Sequence, residues 1–284
     1  MNTNHKRLYN GYSIPVIGYG TFPQKETLTD NVPIAIETGY QMIDCSDNYK
    51  NEEFVSKGLD SIESSKVVVV TKFSQPLRTH ELDKCFEESQ RKLGRINVYL
   101  LHWPFPFLWK KQWRKMEELY LDGKCDAIGV CNFDLRYLKE LLSFCKVRPA
   151  INQFERHPIF QQRELYEFCL RNDIVVMSYS PVARMDKALF ESPILRKIAV
   201  KYKKTISQVI LRWDIETNSI PIPASSSKVH IEENFNIFDF KLEESEIKEI
   251  NRMEIGKRIR FNPRTRFSFR KKLKFLAYRF KLGL

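Results

Sequence analysis

The sequence predicts one closed (β/α)₈ barrel, an α/β TIM barrel with a single domain. Three observations predict it. Eight short apolar runs alternate with longer amphipathic segments. The runs are rich in Val and Ile and do not alternate apolar with polar, which is how strands buried on both faces of a parallel sheet read. The length of 284 residues is long for an ordinary domain and normal for one such barrel. The runs are VIGYG (16–20), MIDCS (42–46), VVVVTKF (67–73), VYLLHWP (98–104), AIGVCNF (127–133), AINQFE (150–155), IVVMSYSP (174–181) and SIPIPAS (219–225). Helical patterns lie between them: RTHELDKCFEESQRKLG with Leu82, Cys85, Phe86, Ser89 and Leu93 on one side, WRKMEELYLDGK ending at Gly123, LRYLKELLSFCK, and one long helix from Ser192 to about Thr217. GYSIPVIG, ahead of the first strand, reads as part of a hairpin closing the barrel bottom. An open dinucleotide-binding sheet is disfavoured, because VIGYGTF carries one G-x-G without the third glycine that the fingerprint needs.

Composition narrows the class. The hydrophobic share of 43% is that of a globular protein, and no run of 18 or more apolar residues suggests a membrane span. Residues 1–15 have no apolar core and no small-residue cleavage site, so the cytoplasm is expected. Cys45, Cys85, Cys125, Cys131, Cys145 and Cys169 form no C-x-x-C pair and are expected to be free thiols, with no metal site. The formal net charge is +12, but eleven Lys or Arg and no Asp or Glu lie beyond Glu254. The body is therefore close to neutral, and the chain divides into a barrel over 1–254 and a basic, aromatic-rich tail over 255–284. Such a protein is expected to be a monomer that does not bind nucleic acid.

The ionisable residues at the strand ends carry the chemistry. Asp44 lies in the second strand, Tyr49 in the loop after it, Lys72 at the end of the third strand and His102 at the end of the fourth. The carboxyl ends of the strands build the active site of this fold, so four groups meet at one rim. A free phenol titrates near 10; a neighbouring ammonium favours the phenolate and lowers that value. A buried lysine needs a carboxylate to stay charged, and Asp44 can serve. His102 can orient a substrate carbonyl while Tyr49 protonates its oxygen. Taken singly, each residue reads more readily as structural: a rim lysine, a packed histidine, a capping aspartate. Their placement at successive strand ends argues for function.

The motifs resemble the aldo-keto reductase family over nearly all of residues 10–254. GYQMIDCSDNYKNE is similar to its Asp and Tyr five apart followed by Asn-Glu. VVVVTKF is similar to its lysine strand and VYLLHWP to its histidine strand. GKCDAIGVCNF, PAINQFERHP, MSYSPV and IEENFNIFDFKL are similar to its Ser-Asn-Phe, Asn-Gln, Tyr-Ser-Pro-Leu and Glu-Asn segments. The resemblance implies reduction of an aldehyde or ketone to an alcohol by NADPH or NADH. Asp44, Tyr49, Lys72 and His102 would be the catalytic tetrad, with Tyr49 the proton donor. Gly20 and Thr21 would border the cofactor, as would Asp44. Cys131, Asn132 and Gln153 would hold the nicotinamide carboxamide, and Tyr179 would stack on its ring, followed by Ser180, Pro181 and Val182. Ala224, Ser225, His230, Glu233 and Asn234 match the segment around the 2′-phosphate. Phe22 and Trp103, with Tyr49 and His102, would border the substrate.

Three departures from the family pattern bear on the cofactor. Its serine is Cys131, a weaker donor; its Pro-Lys-Ser reads Pro223-Ala224-Ser225; and its arginine is His230. The 2′-phosphate grip is expected to be weakened. In the loop FPFLWKKQW, Phe105, Phe107 and Trp109 are read as packing on the rim in preference to facing substrate. In the tail, Phe269, Leu273, Leu276, Ala277, Phe280 and Leu284 recur at helical spacing opposite Arg270, Lys271, Lys272, Lys274, Arg279 and Lys281. That pattern suits a helix lying on the anionic inner face of a membrane, and equally a segment covering the pocket. The competing function is a weakly catalytic or non-catalytic cofactor-binding scaffold or redox sensor at a membrane.

Overall fold

The computed structural model describes residues 4–60, 62–63, 66–76, 79–260 and 262. It opens on a hairpin, β1 (His5–Arg7) against β2 (Ser13–Pro15), with His5 opposite Pro15. Eight parallel strands follow: β3 (Tyr19–Gly20), β4 (Met42–Asp44), β5 (Val68–Phe73), β6 (Val98–Leu101), β7 (Ala127–Cys131), β8 (Ile151–Glu155), β9 (Val175–Tyr179) and β10 (Ser219–Ile222). Each pairs with the next in sequence order. The ring closes where Gly18 and Gly20 donate to the carbonyls of Pro221 and Pro223 at 3.1 and 2.8 Å. The strands are shorter than the apolar runs that predict them; the first run pairs in parallel only at Tyr19 and Gly20.

Helices fill the connections: α1 (Leu28–Thr38), α2 (Glu52–Leu59), α3 (Thr79–Leu93), α4 (Trp109–Leu121), α5 (Leu135–Leu142), α6 (Arg163–Arg171), α7 (Lys187–Phe190), α8 (Pro193–Tyr202), α9 (Ile206–Glu216), α10 (Lys228–Phe235) and α11 (Glu244–Asn251). The single helix expected over Ser192–Thr217 is two helices. Lys203 turns the chain through a left-handed conformation (φ 54°), and Thr205 with Gln208 forms a capping box that starts α9. That local signal outweighs a continuous apolar stripe.

Side chains alternate across each strand, and one parity fills the lumen. Met42, Val70, Val98, Leu100, Ala127, Ile151, Val175, Met177, Ile220 and Ile222 form one buried cluster, and Leu8 and Ile14 of the hairpin region plug it from the strands' amino ends. The opposite parity, including Ile43, Val69, Tyr99, Ile128, Phe154 and Val176, packs under the helices. Gly129 is required where β7 crosses its neighbours. A Cβ there would stand 2.6 Å from the Ile151 carbonyl oxygen and 2.8 Å from Leu100 Cδ2.

The chain beyond Glu254 does not leave the barrel at once. Lys257 N–H donates to Ile159 O at 3.0 Å, and the Ile259 and Arg260 N–H groups donate to the Glu155 carboxylate. A boundary after residue 254 therefore falls inside a docked segment. The proposed amphipathic helix from Phe269 onward lies outside the described residues. The six cysteines are free, and no helix among the described residues is long and apolar enough to cross a membrane.

Candidate active site

The lumen parity that buries aliphatic residues below brings functional groups to the carboxyl rim. Two residues beyond Met42 comes Asp44, two beyond Val70 comes Lys72, and two beyond Leu100 comes His102. In the same way Gly129 leads to Cys131, Ile151 to Gln153 and Met177 to Tyr179. The residues meet at a cavity of about 470 Å³, whose lining includes Asp44, Tyr49, His102, Gln153 and Tyr179.

Lys72 is fully buried at the base. Its Nζ donates to Asp44 Oδ2 at 2.7 Å and to Cys45 O at 2.8 Å. Tyr49 ends a short 3₁₀ turn (Asp47–Tyr49), and Lys72 Nζ stands 5.1 Å from its ring centroid. The His102 ring lies 5.8 Å from the Tyr49 ring, edge to face. Burial works against the Lys72 ammonium, but Asp44 and then Tyr49 outweigh it, and its pKa lies above the ordinary lysine value. The lysine is therefore a fixed positive charge. Enclosure pushes the Tyr49 phenol above its ordinary value of 10.0, while Lys72 pulls it back. The sequence argument anticipates a phenol brought down by the ammonium. The pull is there, but desolvation is the larger effect and the net direction is upward.

His102 is held by two hydroxyls: Ser74 Oγ at 2.5 Å and Ser46 Oγ at 3.2 Å from Nδ1, with the two oxygens 2.9 Å apart. Ser46 Oγ also donates to Asp47 Oδ1 at 3.2 Å. In the tautomer where Ser74 donates to Nδ1, the proton of a neutral imidazole lies on Nε2. Neither serine emerges from the sequence reading, although Ser74 directly follows β5 and Ser46 lies two residues beyond β4.

The amide residues are interlocked. Gln153 Nε2 donates to Asp44 Oδ1 at 2.8 Å, Cys131 Sγ lies 3.6 Å from Gln153 Oε1, and Asn132 Nδ2 donates to His102 O at 3.1 Å. Asn132 Oδ1 accepts from the Tyr179 hydroxyl at 2.7 Å. Asn132 has φ 63°, a left-handed conformation that asparagine tolerates, which turns its amide inward. Thr21 donates to Asp44 O at 2.9 Å and is gripped by Asn51, which also holds Gln24 O. Gly20 lies so close to the last strand that a Cβ would meet Ile222 Cγ2 at 3.1 Å. Two primary amides beside a flat phenol ring, over glycine backbone, form a donor and acceptor set that fits a nicotinamide carboxamide and its ring.

Ser180, Pro181, Val182 and Ala224 line the outer wall, and Phe22 and Trp103 the other side. Trp103 is buried and stacks on His102 at 5.5 Å; the Phe22 ring stands 5.0 Å from Tyr49. The remaining expected contacts lie outside this lining. Ser225 Oγ accepts from Ser227 N–H at 3.1 Å. His230 is exposed on α10 with Nδ1 3.4 Å from Glu233, which itself accepts from Thr205 Oγ1 at 2.6 Å; Asn234 is half-buried beside it. Of the aromatic loop, Phe105 and Trp109 are buried, Trp109 against Phe133, Tyr137 and Phe144, whereas Phe107 is 66% exposed. Arg184 and Arg260 also line the cavity, and the sequence reading includes neither.

The sequence matches the model of the Aldo/keto reductase family over residues 15–255. It is 38% identical to a 9,11-endoperoxide prostaglandin H2 reductase of Trypanosoma cruzi, over 93% of this chain and 96% of that protein. It is 36% identical to a glyoxal reductase of Bacillus subtilis, over 90% and 95%. Among solved structures, an aldo-keto reductase from a Medee basin deep-sea metagenome library superposes with a TM-score of 0.86 at 36% identity, covering 90% of this chain and 97% of that one. A Bombyx mori aldo-keto reductase in complex with NADP does so at 0.85 and 29% identity, covering 92% and 96%. The barrel, the rim and these matches define a nicotinamide-dependent oxidoreductase that acts on carbonyl groups. The chain belongs to the aldo/keto reductase family.

Proposed function

We propose that the protein reduces small aldehydes and ketones, with 2-oxoaldehydes such as methylglyoxal the first class to test, and that Tyr49 delivers the proton. The observation that carries this reading is the buried Lys72–Asp44 pair set directly against the Tyr49 ring in the same cavity as His102. The nicotinamide cofactor, when bound, supplies hydride. Asn132 and Gln153 hold its carboxamide and Tyr179 covers its ring. His102 Nε2–H holds the substrate oxygen, Tyr49 protonates it, and Lys72 stabilises the phenolate left behind. Phe22 and Trp103 exclude water from the reacting carbon. Steady-state oxidation of NADPH with methylglyoxal, followed by product analysis, tests the reading; no turnover with any reactive aldehyde would contradict it.

Ala224 and His230 give the 2′-phosphate less than a lysine and an arginine would. The expected result is a reduced preference for NADPH over NADH. His230→Arg should enlarge it. Cofactor Kd values by fluorescence quenching decide it; a large wild-type preference for NADPH would count against the assignment.

The basic tail is proposed to hold the protein reversibly on anionic membrane, at about 1 kcal/mol per basic residue near the surface. The full chain should sediment with anionic vesicles at low salt and not with neutral ones, and a chain ending at Arg264 should not sediment with either. Full-length protein that stays in the supernatant would remove the proposal.

A further inference from the structure

One hydrogen-bonded network joins the segments that carry Tyr49, Lys72 and His102. Ser46 caps the 3₁₀ turn that ends at Tyr49, its Oγ accepting from Asn48 N–H at 3.4 Å. Ser74 follows β5, two residues beyond Lys72. Both serines are buried, and neither they nor Asp47 line the cavity. Their hydroxyls stand 2.9 Å apart and both face His102 Nδ1. Asp47 closes the network from the other side. Its Oδ1 lies 3.2 Å from Ser46 Oγ, and its Oδ2 accepts the Ser74 N–H at 3.2 Å. Burial pushes the Asp47 carboxyl above its ordinary value, and the bonds to Ser74 and then Ser46 oppose that.

The main chain of His102 is fixed by other groups. Its N–H donates to Phe73 O at 3.0 Å, its carbonyl accepts from Asn132 Nδ2 at 3.1 Å, and its ring stacks on Trp103. What the network governs is which ring nitrogen carries the proton. As a carboxylate, Asp47 can only accept, so it takes the Ser46 proton. Ser46 Oγ then presents lone pairs to Ser74 and to Nδ1. The Ser74 proton has two acceptors in reach, and Nδ1 at 2.5 Å is closer than Ser46 Oγ at 2.9 Å.

We propose that Ser74, backed by Ser46 and Asp47, is a positioning residue that holds His102 in the tautomer protonated on Nε2. This rests on the reductase reading above, in which Nε2–H meets the substrate oxygen. The tautomer of a histidine is set by the bond that its other nitrogen makes. With the proton on Nδ1 instead, a neutral ring would turn a lone pair towards the carbonyl oxygen and repel it. The three residues act only through the imidazole.

Nitrogen-15 NMR of the full chain, labelled in its histidine rings and saturated with NADPH, reads the tautomer without turnover. At pH 8 an unperturbed histidine is neutral, and His102→Gln identifies the signals of this ring among the five histidines. Wild type should show Nε2 protonated and Nδ1 bare. In Ser74→Ala the proton should move to Nδ1, because Ser46 Oγ remains there as an acceptor. The kcat for methylglyoxal should fall with it by about tenfold to a hundredfold, the scale of a misplaced reacting group, while the NADPH Kd stays unchanged. Ser74→Thr keeps the hydroxyl and should restore both the tautomer and most of the rate. Adding Asp47→Ala to Ser74→Ala frees the Ser46 proton for Nδ1 and should return the ring to its Nε2–H form. A wild-type ring protonated on Nδ1 overturns the proposal before any variant is made. So does a Ser74→Ala ring that keeps the wild-type tautomer, whether or not kcat falls, or a double variant that stays protonated on Nδ1. If wild type reduces no aldehyde, the reductase reading fails, and the spectra still decide the tautomer.

Discussion

Tyr49→Phe is expected to lower kcat/KM for methylglyoxal by about 10²–10⁴-fold, the usual contribution of a positioned general acid. Cofactor affinity should stay near wild type, because the groups proposed to hold the nicotinamide are Asn132, Gln153 and Tyr179, and the removed hydroxyl is none of them. Lys72→Met should also be severe, for a different reason. Burial pushes the Tyr49 phenol upward and Lys72 is the group that pulls it back. Without the ammonium the phenol becomes a still weaker acid, and Asp44 is left as a buried carboxylate without its charge partner. The sign of the pH dependence follows. A proton donor whose pKa lies above 10.0 stays protonated through the neutral range, so deprotonation of Tyr49 cannot produce a fall in kcat between pH 6 and 9. A wild-type kcat that collapses within that range through deprotonation of Tyr49, or a Tyr49→Phe enzyme that turns over at the wild-type rate, would contradict the assignment.

Arg156→Met is expected to destabilise the barrel by about 3–5 kcal/mol, as when one partner of a buried ion pair is removed. Arg156 and Asp214 are both buried and bonded to each other between β8 and α9. Ser178 Oγ donates to the same carboxylate at 3.1 Å, and Arg156 Nη2 donates to Thr217 at 3.1 Å. The guanidinium is sandwiched by Trp213 at 4.3 Å and Tyr166 at 4.5 Å. Even with Arg156 present, burial raises Asp214 from 3.8 to about 6. The folded state therefore binds this proton more tightly than the unfolded chain does. Its contribution to stability is fully present below about 4 and is lost as pH rises through about 6. Removing the guanidinium should raise that pKa further and extend the loss to higher pH, so the defect of Arg156→Met should be greater at pH 8 than at pH 5. Urea unfolding at the two pH values measures this. A double variant, Arg156→Met with Asp214→Leu, should recover much of the stability, since both polar partners are then gone. A single variant as stable as wild type at both pH values would show that the pair is not structurally important.

Much of the rim was legible because strand parity is a short-range property. Once 42–44, 68–73 and 98–101 are strands, Asp44 and Lys72 must share the lumen with Met42 and Val70, and His102 must follow Leu100. What the sequence hid depends on distant pairings. Glu155 binds the backbone of Ile259 and Arg260 more than a hundred residues away, and nothing near PAINQFERHP signals it. Arg260 reads as one more basic residue of the tail, yet it stands at the cavity mouth. Ser46 and Ser74 orient His102 from two different strands, and small polar residues after strands are too common to mark a role. The break at Thr205 was readable, since Thr205 and Gln208 have capping-box spacing, but the apolar stripe on both sides suggested continuity.

The central claim is that one cavity directs hydride to a carbonyl carbon while the Tyr49 phenol protonates the oxygen. The most direct measurement uses NADPH deuterated on the nicotinamide ring at the transferred position, with methylglyoxal as substrate and NMR of the product. Wild type should place the deuterium on the carbinol carbon of the alcohol, and Tyr49→Phe should give little labelled alcohol under the same conditions despite binding the cofactor. Label that fails to reach the carbon in wild type, or labelled alcohol formed equally fast by Tyr49→Phe, would contradict it.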